Sequence, residues 1–171
     1  MDDLDDTFSV LTVNKRSTKK DDGLHYSNFF ITVNTNRSFT SDEESKAMVK
    51  SLRKAIKALF STKDDHQFLS KVIKFLVPGH VYDDRYIVSI KVKFTVEKGK
   101  KFGRIHAHIW VSVVHRSMIH LDREYIIRFL QDRLGLTSLY VNIRIIRKDP
   151  FAAVEKYLEK DPQIEDDTDS D

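Results

Sequence analysis

The chain has no cysteine, which excludes a disulfide framework and any thiolate metal site. It has only 5 glycines and 3 prolines in 171 residues, and its hydrophobic fraction of 40% is enough for one ordinary core, so a single globular domain is expected. No apolar run approaches the roughly 20 residues that a membrane-spanning helix requires. Met1 is followed by Asp2, Asp3, Asp5 and Asp6 in place of the basic and then apolar segment of a secretory signal, and a soluble intracellular protein without a membrane partner is the expectation.

What the chain does have is charge, unevenly placed. Residues 161–171 carry six acids and no base, and the first six residues carry four more acids; without those ten, the net charge of +3 becomes +13 for residues 7–160. A body that basic suits a polyanionic partner, because each Lys or Arg that neutralises a phosphate releases a counterion. The expected organisation is an arm of mixed charge over residues 1–26, mostly irregular, a folded domain over residues 27–160, and an acidic disordered tail or linker over residues 161–171.

The most informative stretch is residues 97–110, EKGKKFGRIHAHIW. In a strand, alternate side chains share a face, so His106 and His108 point one way while Ile105, Ala107, Ile109, Val111 and Val113 fill the other. Upstream, Val88, Ile90, Val92, Phe94 and Val96 alternate with Ile87, Ser89, Lys91, Lys93, Thr95 and Glu97, and Gly99 and Gly103 bracket a basic turn that folds the two strands into a hairpin. Glu97 then falls beside His106 and His108. Two imidazoles and one carboxylate form a nitrogen and oxygen ligand set suited to Mn²⁺ or Mg²⁺ and able to take Zn²⁺.

Around that hairpin, the alternation of Phe29, Ile31 and Val33 with Asn28, Phe30, Thr32 and Asn34 predicts a strand over residues 27–34. Ser41 with Glu44 reads as a capping box for a helix over residues 42–60, and a shorter helix is expected over residues 65–76, stopped by Pro78-Gly79. Asp122 can cap a helix closed by Gly135, a strand follows at residues 139–145, and Asp149-Pro150 opens a last helix to Lys160. The expected fold class is α+β: a ferredoxin-like antiparallel sheet in βαββαβ order with helices on one face and an additional C-terminal helix. The polar phases then gather Thr32, Asn34, Lys91, Lys93, His106, His108, Tyr140, Asn142 and Arg144 on an open, basic face, with Trp110 as a stacking surface. His115 and His120 read as surface histidines.

His106-Ala107-His108 resembles the His-hydrophobe-His motif of the HUH endonucleases, the rolling-circle replication initiators of small DNA viruses and plasmids. Residues 31–36 are similar to that family's first motif, Tyr157-Leu158-Glu159-Lys160 matches the Tyr-x-x-Lys third motif of eukaryotic viral Rep proteins, and Glu97-Lys98-Gly99 resembles the parvovirus approach to the metal. The resemblance spans residues 27–160. It implies a site-specific nicking and joining domain for single-stranded DNA, with an origin hairpin and a helicase domain or partner beside it, acting in the host nucleus if the source is a eukaryotic DNA virus. In that reading Tyr157 is the nucleophile, Lys160 stabilises charge near the scissile phosphate, and Glu97, His106 and His108 hold the divalent ion. Thr32, Asn34, Lys91, Lys93, Trp110, Asn142 and Arg144 contact DNA. The alternative is a non-catalytic module that binds single-stranded nucleic acid on the same sheet.

Overall fold

The computed structural model describes residues 6–12, 24–39, 41–60, 70–75, 87–99 and 103–146. They form an α+β fold. In chain order the elements are β1 (Asp6–Thr12), β2 (His25–Ser38), α1 (Asp42–Leu59), β3 (Ile73–Phe75), β4 (Ile87–Lys98), β5 (Arg104–His115), β6 (Ile119–Leu121), α2 (Arg123–Leu134) and β7 (Tyr140–Ile146). A five-stranded sheet has the order β1-β4-β5-β2-β7, every neighbouring pair antiparallel, and β3 pairs with β6 in a separate ribbon.

Local chemistry explains the two helices. Ser41 Oγ accepts a hydrogen bond from the Glu44 amide at 3.3 Å, and Asp42, Glu43 and Glu44 set negative charge at the positive end of α1. Asp122 caps α2 in the same way, accepting from the Tyr125 amide at 3.1 Å, and Gly135 ends the helix in the left-handed region with φ 66°. Leu52, Ala55, Ile56 and Leu59 of α1 and Ile126, Phe129 and Leu130 of α2 are buried. Both helices lie on one side of the sheet, with α1 against β4, β5 and α2, and α2 also against β7. The sheet answers with Phe29, Ile31, Val33, Val92, Phe94, Val96, Ile105, Ala107, Ile109, Val111 and Val113, all in the core. Each large aliphatic side chain so removed from water contributes about 1.5–3 kcal/mol.

Several expectations change. The arm over residues 1–26 is not irregular throughout: residues 6–12 form β1 along the outer edge of β4, where they satisfy backbone groups that β4 would otherwise leave unpaired, and residues 25–26 already belong to β2. The helix expected over residues 65–76 does not continue through its described end. Helical backbone occupies residues 70–72, then residues 73–75 pair with β6, itself unforeseen. The ribbon is held to α2 by the Asp122 amide, which donates to the Val72 carbonyl at 2.8 Å. A bulge between Ile87 and Ser89 shifts the phase of β4 at its start, so Ile87 is buried and Val88 half-buried, the reverse of simple alternation. On β7, Val141 is buried but Ile145 is 72% exposed, because the strand lies at the sheet's edge and its end runs past the helical layer. The helix expected over residues 150–160 and the tail over residues 161–171 lie outside the described residues.

The β4–β5 turn is tied down by its own backbone. The Gly99 amide donates to the Arg104 carbonyl at 2.6 Å and the Gly103 amide to the Gly99 carbonyl at 3.1 Å, while the Phe39 amide donates to the Gly103 carbonyl at 3.2 Å. Gly103 has φ 65°, and a Cβ there would meet the Phe39 carbonyl oxygen at 3.2 Å; a Cβ at Gly135 would meet nothing within 4 Å. Gly135→Ala is therefore expected to cost only the left-handed backbone penalty, about 1 kcal/mol, and Gly103→Ala clearly more, about 2 kcal/mol or above, because backbone must also move. Urea unfolding of the two variants checks the order.

Candidate metal centre

The strand register builds the centre. Glu97 sits directly opposite His106, and Thr95 directly opposite His108. On the other side of β5, Asn34 faces His106 and Thr32 faces His108, and β7 adds Tyr140 and Asn142 to the same two rows. The rows crossing the sheet are thus Tyr140-Asn34-His106-Glu97 and Asn142-Thr32-His108-Thr95. A third row, Arg144-Phe30-Trp110-Lys93, lies beside them.

Within the first two rows the ligand atoms of Glu97, His106 and His108 all lie within 4.8 Å of one another. His106 Nε2 is 3.0 Å from Glu97 Oε2, and His108 Nε2 is 4.0 Å from the same oxygen. With ligand bonds of about 2.1 Å, atoms on adjacent corners of an octahedral site are about 3.0 Å apart and on opposite corners about 4.2 Å, so the three residues fit a divalent ion after small side-chain adjustments. Their donor set suits Mn²⁺ or Mg²⁺ and accepts Zn²⁺. Three protein ligands leave positions for water or a phosphate oxygen.

Burial prepares His108 for this role. Desolvation pushes its pKa down to about 4; His106 nearby lowers it further, and the Glu97 carboxylate partly opposes both. The imidazole is neutral at pH 7, with a lone pair to give. Phe30 lies parallel to the His108 ring, 5.6 Å away with 8° between planes, and fixes its tilt. Two buried polar atoms here make no hydrogen bond, His108 Nδ1 and Thr95 Oγ1.

The face around the centre is less open than alternation suggests. Trp110 is 4% exposed and Lys93 7%, and Thr95 and His106 are buried as well. Aromatic side chains lie over the sheet and shield one another: Phe30 and Trp110 are 5.2 Å apart at 45°, and Arg144 caps Phe30 at 5.2 Å. Lys93 is therefore not a freely exposed phosphate contact, nor Trp110 a free stacking surface. Lys91 and Arg144 are exposed, and Thr32, Asn34 and Asn142 half-buried. The register places Thr32, Asn34, Asn142, Glu97, His106 and His108 in neighbouring rows of one face. Tyr157 and Lys160 lie outside the described residues. Among the described residues, no helix is long and apolar enough to cross a membrane.

His115 was expected at the surface and is fully buried. Its Nδ1–H donates to the Ser117 carbonyl, Ser27 Oγ donates to its Nε2 at 2.7 Å, and the exposed His25 stacks on its ring at 5.6 Å. Its place in the odd phase of β5, with Ile105 to Val113, was the available signal. The role of Phe30 was also missed, although it stands in the polar phase of β2.

Comparison with protein-family models, with curated proteins and with solved structures finds no significant match to this chain.

Two predictions follow from this geometry. His106→Ala with His108→Ala should abolish tight Mn²⁺ binding, read by titration calorimetry, leaving an affinity no better than that of a lone surface carboxylate. The second concerns acid. The folded pKa of His108, about 4, lies below its ordinary 6.5, so the unfolded chain binds the extra proton first, and the metal-free fold loses stability as pH falls from about 6.5 to 4. The contribution is at most about 3 kcal/mol. Urea midpoints across that range should fall in the wild type and fall less in His108→Asn.

Proposed function

We propose that this chain is a metal-dependent endonuclease and ligase for single-stranded DNA, of the HUH kind, that starts rolling-circle or rolling-hairpin replication. The observation that carries the reading is the cluster of Glu97, His106 and His108 on the polar face of an antiparallel sheet. The antiparallel sheet supports it: the run β7-β2-β5-β4, with α1 and α2 between its strands in the chain, is the support for a ferredoxin-like βαββαβ reading in which β1 and the β3–β6 ribbon would be additions.

In this reading Glu97, His106 and His108 would hold Mn²⁺ or Mg²⁺, which would supply Lewis-acid polarisation of the scissile phosphate. The Tyr157 hydroxyl oxygen forms a bond to phosphorus as the bond to the 3′-oxygen breaks. The phenolic proton is lost, the departing oxygen gains a proton, and the products are a 5′-phosphotyrosine and a free 3′-hydroxyl. Because the covalent intermediate keeps the energy of the phosphodiester, reversal joins strands without another energy source. Lys160, three residues from Tyr157, would stabilise the charge that builds on the phosphate.

A binding module without chemistry is the competing reading, and one observation favours it: the half-buried Phe30 ring with the exposed Arg144 guanidinium over it at 5.2 Å. Incubation of the chain with mixed single-stranded oligonucleotides and Mn²⁺, run on a denaturing gel, separates the two. The nuclease forms a covalent protein–DNA band, lost on chelation and in Tyr157→Phe, which still binds metal and DNA; a pure binder forms none. A nucleotide mapped by mass spectrometry to Tyr125 or Tyr140 would remove Tyr157 from the mechanism.

Binding should also report the exposed cations of the face. Lys91→Glu with Arg144→Glu is expected to weaken single-stranded DNA binding across unrelated sequences and to flatten the salt dependence by about 0.7 in log–log slope for each phosphate contact removed. Unchanged affinity at low salt would mean that the strand runs elsewhere.

A further inference from the structure

We infer that Thr95 is a positioning residue for the metal centre: its hydroxyl accepts the Nδ1–H of His108 and so holds the imidazole with its Nε2 lone pair toward the ion. The inference rests on the metal-binding part of the reading above and is independent of nicking.

Three observations carry it. Thr95 and His108 are direct cross-strand partners in the β4–β5 register, on the face that bears Glu97 and His106. Directly opposed residues hold their Cβ atoms about 4.5–5.5 Å apart, which lets a hydroxyl on one Cβ reach the near ring nitrogen of the other with little more than a torsional adjustment. Second, His108 presents Nε2 to the Glu97 carboxylate, at 4.0 Å, so Nε2 is the atom a shared ion would use. A neutral imidazole that ligates through Nε2 carries its proton on Nδ1. Third, His108 Nδ1 and Thr95 Oγ1 are both buried and both without a hydrogen bond.

Unsatisfied buried polar atoms are rare and costly, and two of them on facing residues form a complementary pair: a ring N–H that needs an acceptor and a hydroxyl that accepts and donates. Metal-bound histidines almost always give their second N–H to such a partner, which fixes both tautomer and ring orientation. The pairing closes when the His108 ring swings toward the ion. Until then Thr95 bears a buried, unpaired hydroxyl, a small local cost to the metal-free fold that metal binding relieves.

Threonine and valine have nearly the same shape, so Thr95→Val removes the hydroxyl and little else, and Thr95→Ser keeps the hydroxyl while removing a methyl group. Mn²⁺ affinity of the full chain, measured without DNA by titration calorimetry or by the free-ion electron paramagnetic resonance signal, should fall about 10- to 100-fold in Thr95→Val and stay within a few-fold of wild type in Thr95→Ser. The urea midpoint of metal-free Thr95→Val should equal or exceed that of wild type. A purely structural threonine predicts the opposite set: a lower midpoint in Thr95→Val with metal affinity unchanged. Wild-type Mn²⁺ affinity in Thr95→Val, or equal losses in the valine and serine variants, overturns the positioning role while leaving the three-ligand centre intact. A wild-type chain that takes up no Mn²⁺ overturns the centre itself.

Discussion

The direct opposition of Glu97 and His106 across β4 and β5 is the constraint on which the rest depends, because strand register acts on every side chain at once. A slip of one residue would carry Glu97 to the helical side of the sheet and turn Val96, now buried in the core, toward the centre. Two features hold the register. The turn at Gly99 and Gly103 is closed by its own backbone bonds and docked on Phe39, and Thr35 Oγ1 donates to the Ile105 carbonyl at 2.9 Å from the other side of β5. Core burial does the remainder, since Ile105, Ala107 and Ile109 have one apolar layer to enter and only one phase in which all three enter it.

The same register sets the electrostatics. Glu97 is one carboxylate near two imidazoles, and the enclosure that keeps His108 uncharged also strengthens whatever charge is brought in. A divalent ion there would neutralise Glu97 and leave net positive charge at the centre. Lys91 and Arg144 stand exposed on the flanks of the same face, while Lys93, opposite Trp110, is buried, so among the described residues of this face the cations reachable from solvent lie around the centre more than upon it. Aromatic packing adds to this: Phe30 stacks on the His108 ring at 5.6 Å, and Trp110 lies 5.2 Å from Phe30, so apolar rings stand beside the candidate centre.

The far end of β5 shows how burial can reverse the meaning of a residue type. His115 lies in the core phase, paired with Ile87, and its polarity is absorbed locally by Ser27 and the Ser117 carbonyl. Desolvation lowers its pKa, with His25 adding to the effect and the Ser117 bond opposing it, so it stays neutral within the apolar layer. Histidine stands on one side of the strand in the candidate metal centre and on the other as a satisfied core residue, and the strand's two-residue period decides between them.

That period is also the measure of what could be read without coordinates. Alternation placed Glu97, His106 and His108 on one face, and capping patterns placed Ser41 and Asp122 at the starts of helices and Gly135 at the end of one, because each of these depends on neighbours within a few residues. Interactions between distant segments could not be read in this way. The pairing of residues 6–12 with β4 and of residues 73–75 with β6 rests on backbone groups that every sequence carries, and the bulge beside Ile87 changes a phase without changing composition. The burial of Lys93 and Trp110 belongs to the assembled fold, and the facing of Thr95 and His108 comes from a register that joins residues on two strands. The sequence by itself determined which side chains share a face, since that follows from local geometry. Which of them meet, and which are sealed from water, was decided only by the tertiary structure, because contact and burial belong to the packed sheet and not to the strand.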